Sequence, residues 1–146
     1  MPITPKYIVM CDEIRQEING KFILLGVYLP DMTVPQLPFV LPSLTFFIAL
    51  ESDRPGNYQV RFSVESLESG QKVFEGMGAA GFPKPGIGAM PVQVRNLMIQ
   101  TAGTYVFTLN LEGQKDPITH SFNILLVPPQ QPGFPVPGFP GMVPRQ

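Results

Sequence analysis

Residues 57–65, Asn-Tyr-Gln-Val-Arg-Phe-Ser-Val-Glu, alternate polar and apolar side chains without a break, and no other feature of the chain restricts its fold as much. A period of two puts Tyr58, Val60, Phe62 and Val64 on one face of an extended strand. Residues 104–111 repeat the pattern, with Tyr105, Phe107, Leu109 and Leu111 on one face and Thr or Asn between them. Each strand then has one face to bury and one to leave wet.

Residues 21–28 and 44–51 are more continuously apolar, which predicts central strands in the middle of the sheets. Asn19-Gly20 predicts a type I′ hairpin turn between the first two strands, because both residues tolerate positive φ. Met10, Ile14 and Ile18 lie four apart, so residues 11–18 also admit two turns of helix, with a strand preferred. Further strands are expected at residues 71–75, 92–100 and 118–127. The second of these changes phase between Val94 and Leu97, which predicts a bulge. Pro35, Pro38 and Pro42 keep residues 34–42 out of a central strand and suit an extended crossing between sheets. About eight short strands with Gly, Pro and Asn turns, and no amphipathic helix, predict an all-β antiparallel sandwich over residues 1–127. From residue 128 the chain holds two copies of Pro-Gly-Phe-Pro and no alternation, which predicts a disordered or extended Pro-rich tail over 128–146.

The 146 residues include 10 Lys and Arg against 11 Asp and Glu, a formal net charge of −1. No basic stripe gathers these residues, so nucleic acid is not an expected partner. Charged residues make up only 14% of the chain, and so neutral a surface resists association weakly. An unidentified protein partner or self-association fits that surface. The single cysteine, Cys11, excludes an intrachain disulfide. The first apolar run is broken by Asp12 and Glu13 before it reaches signal-peptide length. Pro, Gly or a charge interrupts every stretch long enough to cross a bilayer as a helix. The expectation is a cytoplasmic protein without a membrane segment.

Residues 11–28, Cys-Asp-Glu-Ile-Arg-Gln-Glu-Ile-Asn-Gly-Lys-Phe-Ile-Leu-Leu-Gly-Val-Tyr, contain Asp-x-x-Arg-x-Glu-x-x-Gly-Lys leading into a hydrophobic strand. This segment resembles the opening of a bacterial family of uncharacterised Ig-like β-sandwich domains. The resemblance continues in the proline-containing segment before Leu44 and in Gly103-Thr104-Tyr105, and spans residues 6–127. It implies an Ig-like sandwich and no activity, so no functional residue is carried over. Tyr105, at the head of a late strand, also looks like the tyrosine corner of Ig-type sandwiches, whose hydroxyl ties a loop back to the backbone.

Gly76-Met77-Gly78-Ala79-Ala80-Gly81 matches the dinucleotide pattern Gly-x-Gly-x-x-Gly. Pro83 and Pro85 forbid the helix that such a site needs to hold pyrophosphate, so a glycine-rich loop is expected instead and no cofactor is assigned. Residues 76–91 read as the longest loop of the domain, and loops on rigid scaffolds often carry binding. Its Met77, Phe82, Lys84, Ile87 and Met90 are candidate protein-binding residues, with Phe134 and Phe139 of the tail beside them. The alternative is that the same apolar groups fold back over the core. Cys11 and His120 are the only possible nucleophile pair of their kind, but each sits in an apolar strand pattern where a buried structural role is expected. One Cys and one His cannot supply a zinc set. Asp12, Glu13 and Glu17 lack the spacing of a calcium loop and read as a solvated edge beside Arg15. The Pro-x-x-Pro spacings at Pro132 with Pro135 and at Pro137 with Pro140 admit a groove-binding ligand. The resulting expectation is a non-enzymatic binding or scaffold domain that recognises a protein through loops or a sheet edge. A self-assembling subunit tethered by its tail is the second reading, and a ligand carrier or hydrolase using Cys11 and His120 the third.

Overall fold

A computed structural model of the chain describes residues 3–29 and 31–127. The described residues form nine strands and no helix: β1 (Ile3–Gln16), β2 (Phe22–Tyr28), β3 (Asp31–Val34), β4 (Phe39–Ser52), β5 (Gly56–Ser66), β6 (Lys72–Phe82), β7 (Gly86–Ile99), β8 (Gly103–Leu111) and β9 (Ile118–Leu126). They make two sheets, ordered β2-β1-β4-β7 and β3-β9-β8-β5-β6. Every pairing is antiparallel except the parallel pair of β3 with β9.

The two sheets face each other as a sandwich, and the alternating residues read from the sequence fill the space between them. Val60 and Val64 of β5, and Tyr105, Phe107, Leu109 and Leu111 of β8, are buried opposite Phe46, Ile48 and Leu50 of β4. The rings of Phe46 and Phe107 stack across the interface with centroids 4.2 Å apart. At the head of β8, Tyr105 Oη donates to the Thr101 carbonyl at 2.7 Å and so fixes the crossing from β7. Residues 11–16 are strand, as preferred over helix.

The turn after β1 departs from the expected type. Gly20 has a positive φ of 84°, whereas Asn19 does not. The amide of Gly20 donates to the Glu17 carbonyl at 3.0 Å. This is a type I turn closed by a left-handed glycine, and the longer loop sets the register of β1 on β2.

Residues 21–28 do not form a central strand: β2 lies at the edge of its sheet. Phe22 pairs with Gln16, and Phe47 pairs with Val9. Along a straight strand those levels would lie ~23 Å apart, yet the two phenylalanine rings are 5.1 Å from each other. The tip of the β1–β2 hairpin therefore folds back over the outer face of the four-stranded sheet. Cys11, Thr45, Phe47 and Ala49 are buried there although they point away from the main core. Within β2 itself Phe22, Leu24 and Tyr28 are half-buried, whereas Ile23, Leu25 and Val27 stay exposed.

The fold-back bends at Asp12 and Gly26. Gly26 has a φ of +68°, and a Cβ at that position would lie 2.9 Å from Asp12 Cγ. The Asp12 carbonyl accepts from Ser43 Oγ at 2.7 Å and Thr45 Oγ1 at 3.3 Å, and its carboxylate accepts from Tyr28 Oη at 2.6 Å. Burial, and the Asp12 carboxylate beside it, hold the Tyr28 hydroxyl well above its ordinary pKa.

The phase change in β7 is present, but it is not a one-strand bulge. Val92 and Val94 face the core, and so do Leu97 and Ile99. The facing strand changes phase at the same level, from Leu44 to Leu41, so the pairing register is unbroken. Asn96, with φ 54°, turns the chain opposite Pro42. Pro42 thus lies inside a strand, contrary to expectation. It is tolerated because β1 pairs with β4 only from Thr45 onward, leaving one neighbour at that level.

Candidate functional site

The segment 76–91 is not a loop. It comprises most of β6 and the first part of β7, joined by a turn at residues 83–85. Glycine richness suggested irregular chain, but Gly76, Gly78, Ala80 and Phe82 keep the period of two and pair with Phe62, Val60, Tyr58 and Gly56 of β5. The Gly-x-Gly-x-x-Gly match is thus a strand whose glycines serve packing. A Cβ on residue 76 would lie 2.8 Å from Phe62 Cζ, so only glycine lets that ring lie across β6. Residue 78 is roomier, with its nearest neighbours at 3.6 and 3.7 Å.

Two consequences follow for the side of the sandwich formed by β6 and β7. Each strand closes its own sheet, and among the described residues no strand pairs with the outer edge of either, which leaves alternate backbone N–H and C=O groups there without a strand partner. The inner face of β6 also lacks side chains at two successive core-facing positions, Gly76 and Gly78, which leaves a notch between the sheets. The notch has a volume of about 370 Å³ and is walled by Phe62, Phe74, Met90 and Val92, with Met77 and Gln93 at its rim. Phe62 and Phe74 stack at 5.9 Å. A second recess of about 240 Å³ continues along the same strands past Ala80, Phe82, Gly88 and Met90. Neither lining contains a charged side chain. A broader depression of about 630 Å³ lies on the outer face over Arg61, Lys72, Glu75, Met77 and Asn110, where Lys72 and Glu75 pair at 2.8 Å. It is more polar than the notch.

The candidate residues are distributed around this side and do not form one surface. Met90 is half-buried inside the notch. Phe82, expected to be exposed, is buried on the inner face with its ring edge-on to Tyr58 at 6.3 Å. Met77 is 71% exposed on the outer face of the five-stranded sheet, and Ile87 is 65% exposed on the outer face of the other. Lys84 is exposed in the turn. Phe134 and Phe139 lie outside the described residues. Sequence reasoning missed Phe62, Phe74, Gly76, Gly78 and Gln93. The available signal was the pair of glycines two apart inside an alternating run, which marks missing core side chains on one strand face.

Cys11 and His120 are not brought together. Cys11 faces outward beneath the folded hairpin, and burial raises its thiol pKa. His120 is in the other sheet, paired with Phe107 and in phase with the buried Ile118 and Phe122, and partial burial lowers its pKa. Among the described residues no three His, Cys, Asp or Glu side chains cluster as metal ligands would.

With the geometry established, comparison with known proteins gives one decisive match, over residues 6–124. The chain belongs to DUF6941, a family of unknown function. No curated protein matches the chain. Among the solved structures that resemble its fold are the following two. A Pseudomonas fluorescens alkylpurine DNA glycosylase, AlkC, bound to DNA containing an abasic site analogue, aligns with TM-score 0.50 and 10% identity over 85% of this chain. This DUF6941 member spans only 30% of the glycosylase chain. The C-terminal domain of wzt aligns with TM-score 0.51 and 10% identity, over 88% of this chain and 75% of that one. At such identity both are likenesses of fold alone.

Proposed function

We propose that the protein is a non-enzymatic binding module that holds an extended, uncharged segment of a protein partner along the β6–β7 side of its sandwich. The observation that carries this reading is the coincidence of two strand edges unpaired among the described residues with an uncharged notch between them, walled by Phe62, Phe74, Met90 and Val92. Edge backbone groups supply main-chain hydrogen bonds to an extended peptide, and the notch receives one of its side chains. The site is built on strands, so little ordering entropy is lost on binding. The hydrogen bond from Tyr105 to Thr101 supports describing the sandwich as Ig-like. The family resemblance and the single buried Cys11 support a bacterial, cytoplasmic setting. The DNA in the glycosylase structure does not argue for DNA here, because the net charge is −1 and three of the lysines, Lys6, Lys21 and Lys72, are already paired with glutamates.

The test is affinity capture from the native cell, identification of the enriched protein, and titration of the purified pair. Gly78→Leu, which places a side chain in the notch, is expected to abolish binding while thermal unfolding stays cooperative. Undiminished binding by that variant would refute the reading. Self-assembly is a second reading favoured by a separate observation: Ile23, Leu25 and Val27 of the β2 edge are 40%, 39% and 50% exposed, and no charge lies between Phe22 and Leu29. Light scattering of the wild type against Leu25→Lys tests it, a concentration-independent monomer in both being the contrary result.

A further inference from the structure

We infer that the outer part of the β1–β2 hairpin, residues 13–25, is a lid that opens as a unit on a hinge at Asp12 and Gly26, with the sandwich intact, and uncovers an apolar face of the four-stranded sheet. Backbone pairing shows where the lid is joined to the body. β1 pairs with β4 only from Ile3 to Cys11, and β2 pairs with β1 alone. Among the described residues, the hydrogen bonds and the ion pair of residues 14–24 all stay inside the hairpin. Bonds to the body gather at the hinge, where the Asp12 carbonyl, just past the last β1–β4 pair, accepts from Ser43 Oγ and Thr45 Oγ1. Beyond it, Pro42 takes one ladder donor away from β4. A recess of about 450 Å³ lies at the same place, lined by Asp12, Glu13 and Leu25 of the hairpin and by Leu41, Pro42 and Ser43 of β4.

Side chains hold the lid shut. Phe22 lies edge-on to Phe47 with ring centroids 5.1 Å apart. Phe22 and Leu24 are half-buried, Ile23 and Leu25 are exposed, and none of the four belongs to the main core. The closed position therefore depends on a small contact whose loss leaves the packing between the two sheets untouched. Elements with so few buried apolar contacts open before the global transition. Beneath the hairpin, Cys11, Thr45, Phe47 and Ala49 are buried. Their register neighbours on β7, Pro91 beside Phe47 and Ala89 beside Ala49, are exposed, and Tyr7, stacked on Phe47 at 6.2 Å, is exposed as well. The outer face of an antiparallel sheet is commonly polar and solvated, whereas this one carries an apolar patch that the hairpin covers in part. Opening joins the covered and uncovered residues into one surface, so the lid sets how much of that surface meets water.

Cys11 is the only cysteine of the chain and lies under the closed hairpin, so its reaction with an aromatic disulfide reagent reports opening. The rate is measured on the full chain at fixed pH, in urea below the unfolding midpoint, for the wild type, Phe22→Ala and Tyr105→Phe. The wild-type rate is expected to change little with urea, because a local opening exposes little surface. Phe22→Ala should raise the rate about tenfold or more, with urea unfolding still a single cooperative transition. Tyr105→Phe weakens the body and not the lid, so it should leave the rate unchanged. A rate with the urea dependence of global unfolding, acceleration by Tyr105→Phe, or no acceleration by Phe22→Ala overturns the inference. Should Phe22→Ala fail to fold, the urea dependence of the wild type and the response to Tyr105→Phe decide the matter. No residue of the β6–β7 notch is altered, so failure here leaves the proposed function standing.

Discussion

Gly76 and Gly78 share one face of one strand, yet replacing each by alanine is expected to have opposite effects. At position 78 a Cβ meets Val60 and Phe62 at 3.6 and 3.7 Å, ordinary contact distances. Alanine there removes the entropy disadvantage of glycine in a strand, so Gly78→Ala is expected to stabilise by about 0.5–1 kcal/mol. At position 76 the Cβ lies 2.8 Å from Phe62 Cζ, and closer still to Cε2. The ring is stacked on Phe74 and packed against the core, so it cannot swing aside freely. Overpacking of this kind costs about 1–3 kcal/mol, which leaves Gly76→Ala a net loss of roughly 1–2 kcal/mol. With a urea m-value of ~2 kcal/mol/M, the two variants should differ by about 1 M in midpoint at unchanged slope. Circular dichroism is the suitable probe, because the chain has no tryptophan. Phe62→Leu in the Gly76→Ala background should recover part of the loss, and coupling of that size is measurable in a double-mutant cycle. Equal midpoints for the two alanine variants, or no coupling to Phe62, would refute the packing on which the notch is built.

Further outcomes follow from other parts of the fold. Tyr105→Phe removes the hydrogen bond from the buried Tyr105 side chain to the Thr101 carbonyl and should lower stability by about 0.5–1.5 kcal/mol in the same urea assay. Gly26→Ala combines a positive φ with a collision at Asp12, so it should release the folded-back hairpin. Faster proteolysis within residues 12–28, with the rest of the sandwich still protected, is the readout. Burial lowers the His120 pKa below its ordinary 6.5, so the unfolded chain takes up this proton more readily than the folded one. The associated stability is present above about pH 6.5 and is lost as the pH falls below it. His120→Gln should flatten the decline in melting temperature between neutral pH and pH 5, and an unchanged slope would count against the burial.

Strands that bury one face against the opposite sheet were legible, because alternation alone determines which side chains turn inward. β5 and β8 show this, residue by residue. Alternation cannot say which strand lies next to which, and β2 demonstrates the cost. Its apolar run looked like a central strand, whereas it covers the outside of the sheet, a burial that only the bend at Gly26 makes possible. The phase change near Val94 was also visible, but its matching partner at Leu41–Leu44 was not, since pairing register is a relation between distant segments. For the candidate site, composition misled. Glycine was read as loop, and so Met77, Phe82 and Ile87 were grouped on a single exposed surface. The backbone instead sends them to three different faces, and the useful feature is the absence of side chains at positions 76 and 78.

The parallel pairing of β3 with β9 has a bearing on how the protein is made. β3 hydrogen-bonds to no other strand among the described residues, and its partner is the last of the nine to be synthesised. A ribosome-bound chain that has reached β8 therefore still holds Asp31–Val34 without a neighbour, and Met32 and Val34, both buried in the finished fold, remain open to water or to a chaperone. Completion of the five-stranded sheet must wait for residues 118–126, so this domain finishes late, when its last strand meets a segment made about ninety residues earlier.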